Sequence, residues 1–175
     1  RGSEAEAEAV TRRQRVAGEP NISGTWRLDK ERSERLDPYL HAMGLCQIAI
    51  DGHLQKEGAT DTYYAIEQTP SMLGIQKHSW SGVSRRDIAF GKTHHEAGQI
   101  AKKVSASIRG DAVVVTTDLG QERILQDIKT LEENGTEIKM ILQLKTPHEH
   151  IEVVRRLVHA EPFPDVVDDH DDDDA

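Results

Sequence analysis

Ile138-Lys139-Met140-Ile141-Leu142-Gln143-Leu144-Lys145 is the stretch that decides the fold. One face presents Ile138, Met140, Leu142 and Leu144; the other presents Lys139, Ile141, Gln143 and Lys145. Side chains alternate across an extended strand, so this segment reads as a strand with one dry and one largely wet face. Similar β-prone runs lie on both sides of it, at Tyr63–Gln68, Leu73–Trp80, Arg86–Phe90, Lys92–Glu96, Lys102–Ile108, Ala112–Asp118, Arg123–Leu131 and His150–His159. Turn residues separate them: Thr69-Pro70-Ser71, Ser81-Gly82, Gly91, Gly98, Gly110-Asp111, Gly120, Asn134-Gly135 and Thr146-Pro147. With a first strand over Asn21–Leu28, the count is ten. Many short strands with tight connections predict a mainly β, antiparallel up-and-down barrel, because closure removes exposed edges. A barrel of that width is too wide for its own side chains to fill, so a cavity is expected.

The one helical interruption comes early. Leu36, Tyr39, Leu40 and Met43 recur at helical spacing. Asp37 is expected as the N-cap with Pro38 at the first position, and Gly44 as the stop. A second short helix is expected over Leu45–Leu54, with Ile48 on its inner face.

The chain has 175 residues and divides into an arm (1–20), a barrel (21–160) and an acidic tail (161–175). Of the net charge of −9, the tail accounts for −8 and the arm for none, which leaves the barrel close to neutral. No basic excess exists to bind nucleic acid. No stretch approaches the roughly 20 apolar residues of a membrane span, and the first residues contain no apolar signal-peptide core. Together with the single cysteine, Cys46, this favours a cytoplasmic setting and rules out an internal disulfide. Cys46 is expected as a small buried apolar residue.

Gly24-Thr25-Trp26-Arg27-Leu28, the helix Leu36-Asp37-Pro38-Tyr39-Leu40-His41-Ala42-Met43-Gly44-Leu45 and the turn Gly120-Gln121-Glu122 together resemble the fatty-acid-binding protein family of the calycin superfamily. The resemblance runs over roughly residues 21–160 and implies a two-helix lid over the barrel mouth, with Trp26 plugging the far end. It further implies that a small hydrophobic ligand is bound and carried by a monomer without a cofactor, with Tyr39, Met43, Met140 and Leu142 among its contacts. The family holds a carboxylate with inward Arg residues and a late Tyr. Here the last strand offers Arg155 and Arg156, of which alternation sends only one inward. Arg155 has the more apolar face, Arg156 the better alignment, and the sequence leaves both open. The Tyr position is Val158 or Leu157, and the second Arg position is Asp127. An Arg–Asp pair inside the barrel would suit an uncharged or weakly polar ligand, and a nearby Lys or His would rebuild an anion site differently.

The histidines raise the enzyme alternative. His78 is expected to share an inner face with Gln76 and Trp80, where it would contact ligand or act as a general acid or base. His148 and His150 share strand parity, but the turn after Pro147 breaks it and no third ligand is evident, so no metal site is expected. Carriage is preferred over catalysis. The alternatives are a calycin-fold enzyme, an isomerase or a haem-using one, with His and acidic groups converging in the cavity, and an interaction module with a filled barrel.

Overall fold

The computed structural model describes residues 19–98 and 102–162. Apart from residues 19, 20, 161 and 162, the expected arm and acidic tail lie outside the described residues. Ten strands form one antiparallel sheet: β1 (Gly24–Leu28), β2 (Tyr63–Gln68), β3 (Met72–Ser79), β4 (Gly82–Ala89), β5 (His94–Glu96), β6 (Lys102–Arg109), β7 (Ala112–Asp118), β8 (Ile124–Glu132), β9 (Glu137–Lys145) and β10 (His150–His159). Two helices, α1 (Asp37–Ala42) and α2 (Gln47–Ala59), connect β1 to β2.

Strands neighbour one another in chain order, and β1 closes against β10. The barrel is nearly closed, with β4 and β5 at its two free edges. Side chains bridge that gap. Arg86 Nε donates to Glu96 Oε1 at 3.0 Å, and the Ala89 N–H donates to His94 Nε2 at 3.0 Å.

One end of the barrel is filled. Trp26 is buried among Ile22, Leu28, Ile66, Leu73 and Leu157, and its Nε1–H donates to the Ile22 carbonyl at 2.9 Å. Gly24, two residues before it, has a φ of +142°, a conformation that suits glycine. The inner face of β9 behaves as its alternation requires, with Ile138, Met140 and Leu144 buried.

The other end is covered by the helices. Leu36, Leu40, Ile50 and Val153 form a second core that seats both helices on β10, with Leu54, Leu142 and Ile151 packed against it. Three expectations change here. Asp37 is the first helical residue, not the cap, and Arg35 holds its carboxylate at 2.9 and 3.0 Å. The second helix runs on to Ala59, so its inner face is Ile50, His53, Leu54 and Glu57, whereas Ile48 is 85% exposed. Cys46 is the residue before α2 and is exposed, because the chain turns there on the outside of the lid.

The fold predicts a contrast between two isoleucines. Ile138→Ala removes a fully buried side chain and lowers the unfolding free energy by about 2–5 kcal/mol. Ile48→Ala changes it by no more than about 0.5 kcal/mol. Urea denaturation measures both, and equal losses would contradict the helix orientation.

Candidate functional site

Between the Trp26 plug and the lid lies a cavity of about 310 Å³. Its apolar wall includes Leu28, Leu36, Leu40, Ile75, Met140 and Leu142. Its polar wall is built from Tyr39, His53, Glu57, Tyr64, Lys77, Arg86, Asp127, Lys129 and Arg155.

Strand parity places most of these groups. On β10 the inward residues are Ile151, Val153, Arg155 and Leu157, and Arg155 lies opposite Met140 of β9. Arg155 is 5% exposed. Its Nη1 donates to the Glu34 carbonyl at 2.6 Å, and its Nη2 is bonded to Glu57 of α2. Arg156 faces the outside, where it pairs with Glu132. On β8 the inward face reads Leu125, Asp127, Lys129, Leu131, because these residues lie opposite Leu144, Leu142, Met140 and Ile138. Lys129 Nζ donates to both oxygens of Asp127 at 2.8 Å. The expected Arg–Asp pair is therefore not formed. Asp127 neutralises its strand neighbour two residues on, and Arg155 is neutralised by the lid.

β3 overturns the placing of His78. Leu73 and Ile75 take the inward face as apolar residues two apart, and they carry Lys77 and Ser79 inward with them. Gln76 and His78 have the opposite parity, and His78 does not line the cavity. Trp80 does line it, because alternation ends at the β3–β4 turn. There the Trp80 ring meets His53 edge-on at 5.4 Å and lies 4.7 Å below Lys56 Nζ, which ties α2 to this turn. Of the other expected contacts, Tyr39, Met140 and Leu142 line the cavity; Met43, at the end of α1, does not. His148 and His150 are exposed on the last hairpin, and among the described residues no three potential metal ligands converge.

The cavity is electrostatically uneven. Burial and then the charge of Asp127 push the Tyr39 phenol up to about 12. The same two causes push Tyr64 up further, with Arg155 opposing them. Burial lowers the Lys77 ammonium below its usual range; Glu57 and Asp127 oppose that, while Lys129 and Arg155 add to it. Lys77 lines the cavity and is itself exposed. His53 Nε2 lies 3.4 Å from Glu57 Oε2 without a hydrogen bond.

Sequence reasoning missed Glu57, Lys77, Lys129 and Tyr64. Lys129 had a readable signal, an acid and a base two apart between Leu125 and Leu131. Glu57 had none, since it reaches Arg155 only through the way the lid docks.

The architecture compares closely with solved structures. The REP1-NXSQ fatty acid transporter superposes with a TM-score of 0.63 at 17% identity, over 81% of this chain and 98% of that one. Echinococcus granulosus fatty-acid-binding protein 1 gives 0.64 at 13% identity, over 79% and 97%. Secretory abundant heat soluble protein 4 from Ramazzottius varieornatus gives 0.63 at 9% identity, over 80% and 95%. This is the fatty-acid-binding-protein fold. No protein-family model and no curated protein sequence matches the chain. The fatty-acid-binding-protein fold thus accounts for the barrel, the lid and the position of the cavity, while the charged groups inside are read from this chain alone.

The Arg155–Glu57 pair is the joint between lid and barrel, which a double-mutant cycle measures. Glu57→Gln leaves a buried guanidinium without its counter-charge and lowers the unfolding free energy by about 3 kcal/mol. Replacing both, Arg155→Met with Glu57→Met, recovers most of that loss. Additive losses would show that the two side chains do not act as a pair.

Proposed function

We propose that this chain binds and carries a small hydrophobic or amphipathic ligand in the cavity beneath its lid, as a soluble monomer. The observation behind the proposal is the space beneath the lid. A cavity of about 310 Å³ falls at the lower end of ligand pockets, roughly 300–1,000 Å³. Its apolar wall offers burial worth about 0.8 kcal/mol per methylene of a ligand. Two of the structural neighbours are named as a fatty acid transporter and a fatty-acid-binding protein. The small volume favours a ligand of medium chain length. Among the described residues no helix is long and apolar enough to cross a membrane, which agrees with a carrier that holds its ligand inside.

The enzyme reading has one observation in its favour, the convergence of His53, Glu57 and Asp127 on the cavity. Glu57 is bound to Arg155 and Asp127 to Lys129, so each carboxylate already has a counter-charge. A module acting only through its surface would have no use for the empty space under the lid. Carriage accounts for the cavity better than either.

Native mass spectrometry of protein purified without denaturation tests this reading, together with displacement of an environment-sensitive naphthalene dye by decanol and decanoate. The expected result is a one-to-one adduct and displacement by at least one of the two. No adduct and no displacement by either would contradict it.

A further inference from the structure

The slit between β4 and β5 is closed without a ladder, since β4 pairs only with β3 and β5 only with β6. Its plug end is held by backbone: Phe90 bridges to Ala106 of β6, and the Gly91 N–H donates to the Ala106 carbonyl at 3.2 Å. Side chains take over from there. The Phe90 N–H turns towards β3 and donates to the Ser71 carbonyl, which leaves the Ala89 N–H directed into the slit, where it donates to His94 Nε2 at 3.0 Å. Nearer the lid, Arg86 Nε donates to Glu96 Oε1 at 3.0 Å. Beyond that pair lies an open groove lined by Arg85, Arg86, Glu96 and Lys102. Arg86 also lines the cavity beneath the lid, so its ion pair stands between the groove and the cavity.

Of these fastenings, the one at His94 depends on a missing proton. A ring nitrogen that accepts a hydrogen bond carries none, so His94 is neutral here, with its proton on Nδ1. An imidazolium has two donors and no acceptor. Protonation therefore breaks the bond and sets one N–H against another at the same place. Histidine is the side chain whose charge ordinarily changes between about pH 5 and 8. The charged groups of the elements that meet at the slit give a new cation no partner. On the inner face they are Arg86 of β4, Glu96 of β5 and Lys102 of β6, and Lys92 lies in the link between β4 and β5. Glu96 is the acid among them and is already paired with Arg86. On the outer face Arg85 and Asp87 of β4 bind each other, while His95 lies opposite Lys103 and Lys103 opposite Asp118.

We propose that the slit between β4 and β5 is a side opening to the cavity, held shut at neutral pH by the Ala89–His94 hydrogen bond and released when His94 takes up a proton. The neutral state closes and the charged state opens, so opening increases as the pH falls. The use of this opening by a ligand rests on the carrier reading above; the catch itself does not.

Amide hydrogen exchange of the full chain without ligand, at pH 7.5 and pH 6.0, tests the catch. Protection of the Ala89 amide, corrected for the intrinsic rate, is expected to fall by about three- to tenfold at pH 6.0, the worth of one hydrogen bond. Protection of Gly91 is expected to hold. In His94→Gln, whose side-chain oxygen accepts at either pH, the Ala89 protection is expected to become independent of pH. The nitrogen shifts of the His94 ring in the unaltered protein decide the matter if that variant does not fold: Nε2 must be unprotonated at pH 7.5 and gain its proton in step with the loss at Ala89. Protection that ignores pH, or that falls equally in His94→Gln, would overturn the catch. Dissociation of the naphthalene dye, followed by stopped flow, tests the route. It is expected to quicken by about three- to tenfold at pH 6.0 in the unaltered chain and not in His94→Gln. A rate that does not follow the Ala89 protection would overturn the slit as an opening to the cavity. Failure of the dye to bind would overturn the carrier reading and with it the route, and the exchange data alone would then judge the catch.

Discussion

Arg155 sits at an inward position of β10, and a guanidinium does not shed its proton to suit its surroundings. Whatever surrounds it must supply a negative charge or leave a buried cation at a cost of several kcal/mol. The barrel wall does not supply that charge, since the nearest inward acid, Asp127, is bound to Lys129. The lid does, through Glu57, and the Glu34 carbonyl completes the coordination from the segment that leads into α1. This contact ties α2 to the barrel over the space beneath it. The apolar contacts of Leu36, Leu40 and Ile50 with Val153 then seal the lid at its edge.

The interior is divided accordingly. Around Trp26 it is packed with aliphatic side chains. Towards the lid it is part apolar and part charged, with the charges taken up in local pairs. Such pairing suits a binding site, because charges that neutralise one another need not be rearranged when an apolar body arrives.

Periodicity was enough to read the barrel. The alternation in Ile138–Lys145 and the turn residues between strands give ten strands, in agreement with the structure. The site was less legible, for reasons that differ by residue. Gln76 and Trp80 suggest an inward face for His78, but the apolar pair Leu73 and Ile75 sets the parity of β3. A helix ending at Leu54 would turn Ile48 inward; because α2 runs on to Ala59, its inner face falls on Ile50, His53, Leu54 and Glu57. With Gly52 and Gly58 inside it, α2 has little intrinsic helix preference, and tertiary packing rather than local propensity sets its extent. The Arg155–Glu57 contact spans 98 residues of sequence, and no local pattern encodes it. Arg155 and Arg156 could be separated only once the register of β10 against β9 was in hand.

The central claim is that the space under the lid is where a ligand resides. The most direct measurement is a set of intermolecular nuclear Overhauser effects between isotope-labelled protein and decanoate. The account predicts contacts from the ligand chain to the side chains of Leu28, Ile75, Met140 and Leu142. Contacts confined to the outer face of the lid or to the outer faces of the strands would contradict it.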